Sequence, residues 1–158
     1  MSVVINSLVA GQPVTDHLAT TSAAVMTNGL VIFNVVGDVQ ILSLVSECYT
    51  ANGATASTLR YNVTASNSTS ATISAASTSL ANLTAGYAVA LTAASGLAET
   101  PTISSNNAGV VLNTASRGVR IPSGTINLII GVGSTTGTWV HYIKYEPLQN
   151  GAIVIPAF

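Results

Sequence analysis

A chain of 158 residues with four basic and five acidic side chains has a net charge of −1 and only 6% charged residues; ordinary soluble domains carry about 25%. That scarcity argues against most chemistry needing titratable groups gathered in a cleft, or a metal held by them. Four cations cannot make a counterion-releasing face for nucleic acid or an anionic membrane.

The expectation is a structural, assembling protein whose surface rests largely on other protein. The mean hydropathy of +0.56 would suit a membrane protein. Yet apolar runs such as Leu30–Phe33 and Leu128–Ile130 fall far short of the ~20 residues of a spanning helix, and one Trp and five Tyr are thin material for the girdles of a membrane barrel. Residues 1–26 make a poor signal peptide, because no Lys or Arg precedes a compact apolar stretch. Disordered chains pair low hydrophobicity with high net charge, the reverse of this one.

In chain order, residues 1–15 read as an arm, broken by Gly11-Gln12-Pro13, and residues 16–158 as a β-sandwich. Residues 16–27 fit a short helix or an irregular stretch. Leu30–Val36 and Val39–Tyr49 are expected to form a pair of strands joined at Gly37-Asp38, a turn pattern that suits a hairpin. Asn52-Gly53 is the next turn. Thr58–Ala65 alternates, with Leu59, Tyr61 and Val63 on one face. Ala71–Ser74 fits a strand, Ser77–Leu83 a helix or irregular segment, and Gly86–Ala94 a strand. Pro101 and Asn106-Asn107 mark a long loop. Thr125–Val132 is a buried strand. Thr138–Glu146 puts Trp139, His141, Ile143 and Tyr145 on one face and Val140, Tyr142 and Lys144 on the other. Asn150-Gly151 is a turn before a last strand, Ala152–Ile155. The class is all-β: an antiparallel sandwich, jelly-roll-like.

Chemical motifs are sparse. Gly131-Val132-Gly133 lacks the third glycine and the basic residue of a phosphate loop, so a plain connection is expected. His17 and His141 lie far apart with no carboxylate at metal-site spacing. No nucleophile elbow surrounds any Ser. Cys48 stands alone, so it has no disulfide partner in the chain and is expected as a buried, inert thiol. The sequons at Asn62, Asn67 and Asn82 are expected by chance in a chain so rich in Asn, Ser and Thr. No cofactor, metal or catalytic residue is expected. Candidate partner contacts are the apolar arm residues Val3, Val4, Ile5 and Leu8, the cations Arg117 and Arg120, and Trp139, Tyr142, Lys144 and Tyr145, about half of which one face of their strand would bury. Arg117 and Arg120 are either interface anchors or solvated loop cations.

The stretches Arg120–Ile130, Gly137–Trp139 and Tyr142–Ala152 resemble the C-terminal part of the capsid decoration, or cement, proteins of tailed bacteriophages. The resemblance covers about a quarter of the chain. It implies a homotrimeric β-sandwich on the capsid outer surface, bridging subunits of the major capsid protein, with no catalytic residues to carry over. A tail, fibre or host-carbohydrate module is the alternative, though the chain is short of aromatics and acids for a sugar site. A hydrolase on a jelly-roll scaffold is disfavoured by the scattered titratable groups.

Overall fold

A computed structural model of the protein describes residues 17–91, 102–104, 119–132 and 134–158. These residues form two antiparallel sheets packed face to face, and no helix occurs among them. In chain order the strands are β1 (His17–Thr20), β2 (Ala24–Val25), β3 (Val31–Val36), β4 (Val39–Cys48), β5 (Thr58–Ala65), β6 (Ala71–Thr72), β7 (Ala88–Leu91), β8 (Thr102–Ser104), β9 (Val119–Ile121), β10 (Gly124–Gly131), β11 (Thr138–Pro147) and β12 (Ile153–Pro156). One sheet, seven-stranded, runs β1-β11-β4-β7-β8, with β2 also on β11 and β9 on β4. The other, five-stranded, runs β12-β3-β10-β5-β6.

The expected all-β sandwich is therefore present, and β5 and β11 fall where alternation places them. Several local expectations are corrected. Residues 17–25 form strands β1 and β2, because both pair with β11 rather than coiling on themselves. Residues 77–83 take the irregular of the two expected forms: Ser77 N–H donates to Leu59 O and Leu80 N–H to Ser57 O, which ties the segment to β5 and the loop before it. Most instructive is Gly37-Asp38. Its flanking strands do not pair with each other. β3 belongs to the five-stranded sheet and β4 to the seven-stranded one.

Crossing between sheets is the rule here. The chain changes sheet at β2–β3, β3–β4, β4–β5, β6–β7, β9–β10, β10–β11 and β11–β12. That gives a jelly-roll-like sandwich rather than a meander of hairpins. Gly37 shows what a crossing demands. Its φ is +77°, and a Cβ there would sit 2.6 Å from Gln149 Nε2 and 2.9 Å from Ala152 Cβ. Only glycine takes this conformation without strain and leaves room for the neighbouring crossing. Asn52 secures another end of the sandwich. Its Nδ2 donates to Leu80 O at 2.8 Å, and its Oδ1 accepts from Thr136 N–H at 2.9 Å and Gly137 N–H at 3.2 Å.

The core lies between the sheets. Trp139, Ile143 and Tyr145 of β11, Leu44 and Ile41 of β4, Phe33 and Ile32 of β3, Tyr61 and Leu59 of β5, and Ile126 and Leu128 of β10 are all buried. Two irregularities disturb strict alternation. The ladder register skips Ile32 between β3 and β10, and Leu42 between β4 and β11. Each is a bulge: on β3 it leaves the neighbours Ile32 and Phe33 both buried, and on β4 it brings Ile41 and Leu44, three residues apart, to the same inward face.

Candidate interaction surface

The two outer faces of the sandwich are chemically distinct. On the five-stranded sheet, cross-strand register lines up Ile155, Asn34, Thr125 and Thr64 in one row over four strands. A second row holds Val31, Asn127, Asn62 and Thr72. Ile153 pairs with Val36 at the β12 edge. Val36, Ile153 and Ile155 are 52%, 44% and 45% exposed. They make an apolar strip along β3 and β12. Beside it lies an amide and hydroxyl field, in which Asn127 Oδ1 accepts from Asn62 Nδ2 and Thr64 Oγ1, both at 3.3 Å. Among the described residues, Arg60 is the face's one charged side chain.

The outer face of the seven-stranded sheet carries the charges. Lys144 and Glu146 of β11 and Glu47 of β4 lie there, with Tyr142 and Val140 between them. Partial burial and the Glu47 carboxylate, which accepts a hydrogen bond from it, push the Tyr142 hydroxyl above its ordinary value. Leu18 of β1 is fully on this side, opposite Lys144.

The sequence-expected contact residues divide accordingly. Val3, Val4, Ile5, Leu8 and Arg117 lie outside the described residues. Trp139 and Tyr145 are corrected: they face the core and are buried, because odd positions of β11 point inward. Tyr142 and Lys144 point outward on the charged face. Arg120 is exposed and forms an ion pair with Asp38 of its own chain, across the β4–β9 edge. Sequence reading missed the strip, although Ile153 and Ile155 alternate visibly. What hid it was the partner strand: Val36 joins them only because β12 pairs with β3.

The charges of the seven-stranded face lie on its open outer surface. No cluster of three His, Cys, Asp or Glu residues that could hold a metal occurs among the described residues. Cys48 is buried, and burial is the main cause that pushes its thiol up. A cleft of about 310 Å³ opens beside β6 and β9, lined by Val63, Ile73 and Ile121 with Arg120 among its walls.

One polar chain crosses the interior. Tyr61 Oη donates to Val89 O at 3.1 Å. Its single proton is thereby used, so Ser46 Oγ, 2.8 Å away, donates to it. The Ser46 proton is then used as well, so His141 donates from Nδ1 to Ser46 Oγ at 2.7 Å. This leaves Nε2 as a bare acceptor, buried without a partner. Burial pulls the His141 imidazole down to about 3, so it is neutral at physiological pH. The Phe158 ring meets it edge-on at 6.4 Å. The chain ties β5 of one sheet to β4, β7 and β11 of the other.

No family model matches the chain, and no curated protein matches it. Among solved structures it is similar to a chain in the structure of infectious bursal disease virus, Gx strain, at 14% identity and a TM-score of 0.23, covering 90% of this chain and 36% of that one. A likeness of that degree carries no functional argument, and the functional reading is built from the surface.

Proposed function

We propose that the chain is a non-enzymatic virion structural protein that binds the outer surface of a bacteriophage capsid and stabilises the shell by bridging major capsid protein subunits. The observation that carries this reading is the outer face of the five-stranded sheet, an amide, hydroxyl and aliphatic surface over four strands with Arg60 as its one described charge. Covering such a face desolvates one described ion, Arg60, and otherwise amides and hydroxyls that a complementary partner can hydrogen-bond. A standard interface of ~1,600 Å² suffices for stable binding. Repetition over many lattice sites then adds avidity, and binding only to the assembled shell stabilises it by mass action.

The test places like charges on each face in turn. Asn34→Lys with Thr125→Lys puts two cations on the proposed contact face. Thr20→Lys with Val140→Lys puts two on the other. Occupancy is titrated on capsids stripped of the protein. The reading expects occupancy to collapse for the first pair and to persist for the second. Equal occupancy for both pairs would overturn it.

A further inference from the structure

Asn-Gly occurs three times in the chain, as Asn28-Gly29, Asn52-Gly53 and Asn150-Gly151. The pair has a chemistry of its own. The glycine amide nitrogen can attack the asparagine Cγ, because no Cβ on the attacking residue stands in the way. An N–Cγ bond forms, the Cγ–Nδ2 bond breaks, and ammonia leaves with the proton of the glycine N–H. Water then opens the resulting succinimide at one of its two carbonyls and leaves aspartate or isoaspartate. No oxidant or cofactor takes part. The reaction needs a glycine N–H that no hydrogen bond holds and an asparagine side chain free to fold back on it.

The fold treats the three pairs differently. Asn52 is buried, and its side chain is committed to Leu80 O, Thr136 N–H and Gly137 N–H. Gly53 N–H donates to Thr136 Oγ1 at 2.6 Å. Asn28 is exposed, but its Oδ1 accepts from Ile130 N–H at 3.2 Å, and Gly29 N–H donates to Leu128 O at 2.8 Å. At both sites the attacking nitrogen and the side chain are tied. Asn150 and Gly151 are exposed. Among the described residues, no hydrogen bond holds the Asn150 side chain or the Gly151 N–H. The turn closes around them instead, through Ala152 N–H to Gln149 O at 3.1 Å. Gly151 has a φ of +80° while that of Asn150 is negative, the type II pattern, whose closing bond leaves the central amide out. A Cβ at Gly151 would meet nothing within 4 Å, so the space around it is open.

We propose that Asn150 is a site of spontaneous deamidation, that the fold protects Asn28 and Asn52, and that isoaspartate at 150 loosens β12. The turn leads into Ile153, and its ends, Gln149 and Ala152, pack on Gly37. Isoaspartate lengthens the backbone there by one carbon and adds a carboxylate, which disturbs the turn that sets β12 against β3. The site is a property of the free chain and goes beyond the capsid reading. In the test, the full chain is held at neutral pH and physiological temperature, beside a sample unfolded in urea. Peptide mapping reads the amide-to-acid mass change at each asparagine, and isoaspartyl methyltransferase labels the isoaspartate. In the folded chain, conversion at 150 is expected to be at least about tenfold faster than at 28 or 52, which react only through local opening. In urea all three are expected to convert at similar rates. Asn150→Gln is expected to remove most of the methylation of the folded chain. Hydrogen exchange of the β12 amides is expected to be faster in the isoaspartyl fraction. Folded-state conversion at 28 or 52 equal to that at 150, or none at 150 while the unfolded chain converts, would overturn the site. Unchanged exchange in β12 would overturn its effect on the strand.

Discussion

The outer faces of the two sheets are built by the same alternation, yet they meet water differently. On the seven-stranded sheet, outward positions of β11 and its neighbour β4 bring Lys144, Glu146, Glu47 and Tyr142 together, an ordinary hydrated surface. On the five-stranded sheet, outward positions bring Asn34, Thr125, Asn127 and Thr64 beside Val36, Ile153 and Ile155. A chain with so few charges has placed several of them on one side. The difference teaches that low total charge is less informative than its distribution: one face stays wet, and among the described charges the other desolvates Arg60 alone when covered.

The largest expected effect sharpens the contrast between inside and outside on a single strand. Trp139→Ala empties a fully buried site and should cost about 3–5 kcal/mol by chemical denaturation. Tyr142→Ala, three residues on and 37% exposed, should cost under about 1 kcal/mol. Similar losses at both positions would mean that the faces of β11 are not as described.

The next effect concerns acid. His141 has a folded-state pKa of about 3, below its ordinary value of 6.5. A lowered value means the neutral form is favoured by folding, so this stability is present above pH 6.5 and is lost as pH falls toward 3. Protons are taken up on unfolding in that window, at up to about 1.4 kcal/mol per pH unit. Between pH 6 and pH 4 roughly 2–3 kcal/mol should disappear, and in His141→Gln that dependence should be absent. Ser46, Tyr61 and Thr21 face the imidazole or its backbone without a charge, so no neighbouring carboxylate offsets the loss. A flat pH profile for the unsubstituted protein would break this account of the cross-sheet chain.

Smallest of all is the surface ion pair. Arg120→Ala should change stability by under about 1 kcal/mol, because the pair with Asp38 is solvated. Its effect on capsid occupancy should be equally small if the contact lies on the five-stranded sheet. A large loss of occupancy would move the contact to the β4–β9 edge and the comparison would fail.

Much of this was legible in the residues. Period-two alternation in Thr58–Ala65 and Thr138–Glu146 located β5 and β11 and their inward faces, because half-buried strands leave that mark. Partner choice was not legible. Gly37-Asp38 has the chemistry of a tight turn, but a turn fixes only that the chain reverses. Whether the next strand pairs beside the last or crosses to the facing sheet depends on where Val39, Ile41 and Leu44 find their burial. The short strands β1 and β2 were invisible for a related reason: each is held by β11, more than a hundred residues away. The interaction strip joins β3 to β12, so it too depended on long-range pairing. Trp139 and Tyr145 were drawn in as contact candidates by residue type, whereas their parity on β11 already assigned them to the core.

The central claim is that the outer face of the five-stranded sheet is the contact surface. Hydroxyl-radical footprinting of the free protein and of the protein on the native particle tests it most directly. The account predicts protection of Val36, Ile153 and Ile155, with Leu18 and Tyr142 on the opposite face labelled as before. Protection of Leu18 and Tyr142, with the isoleucines still labelled on the particle, would contradict it.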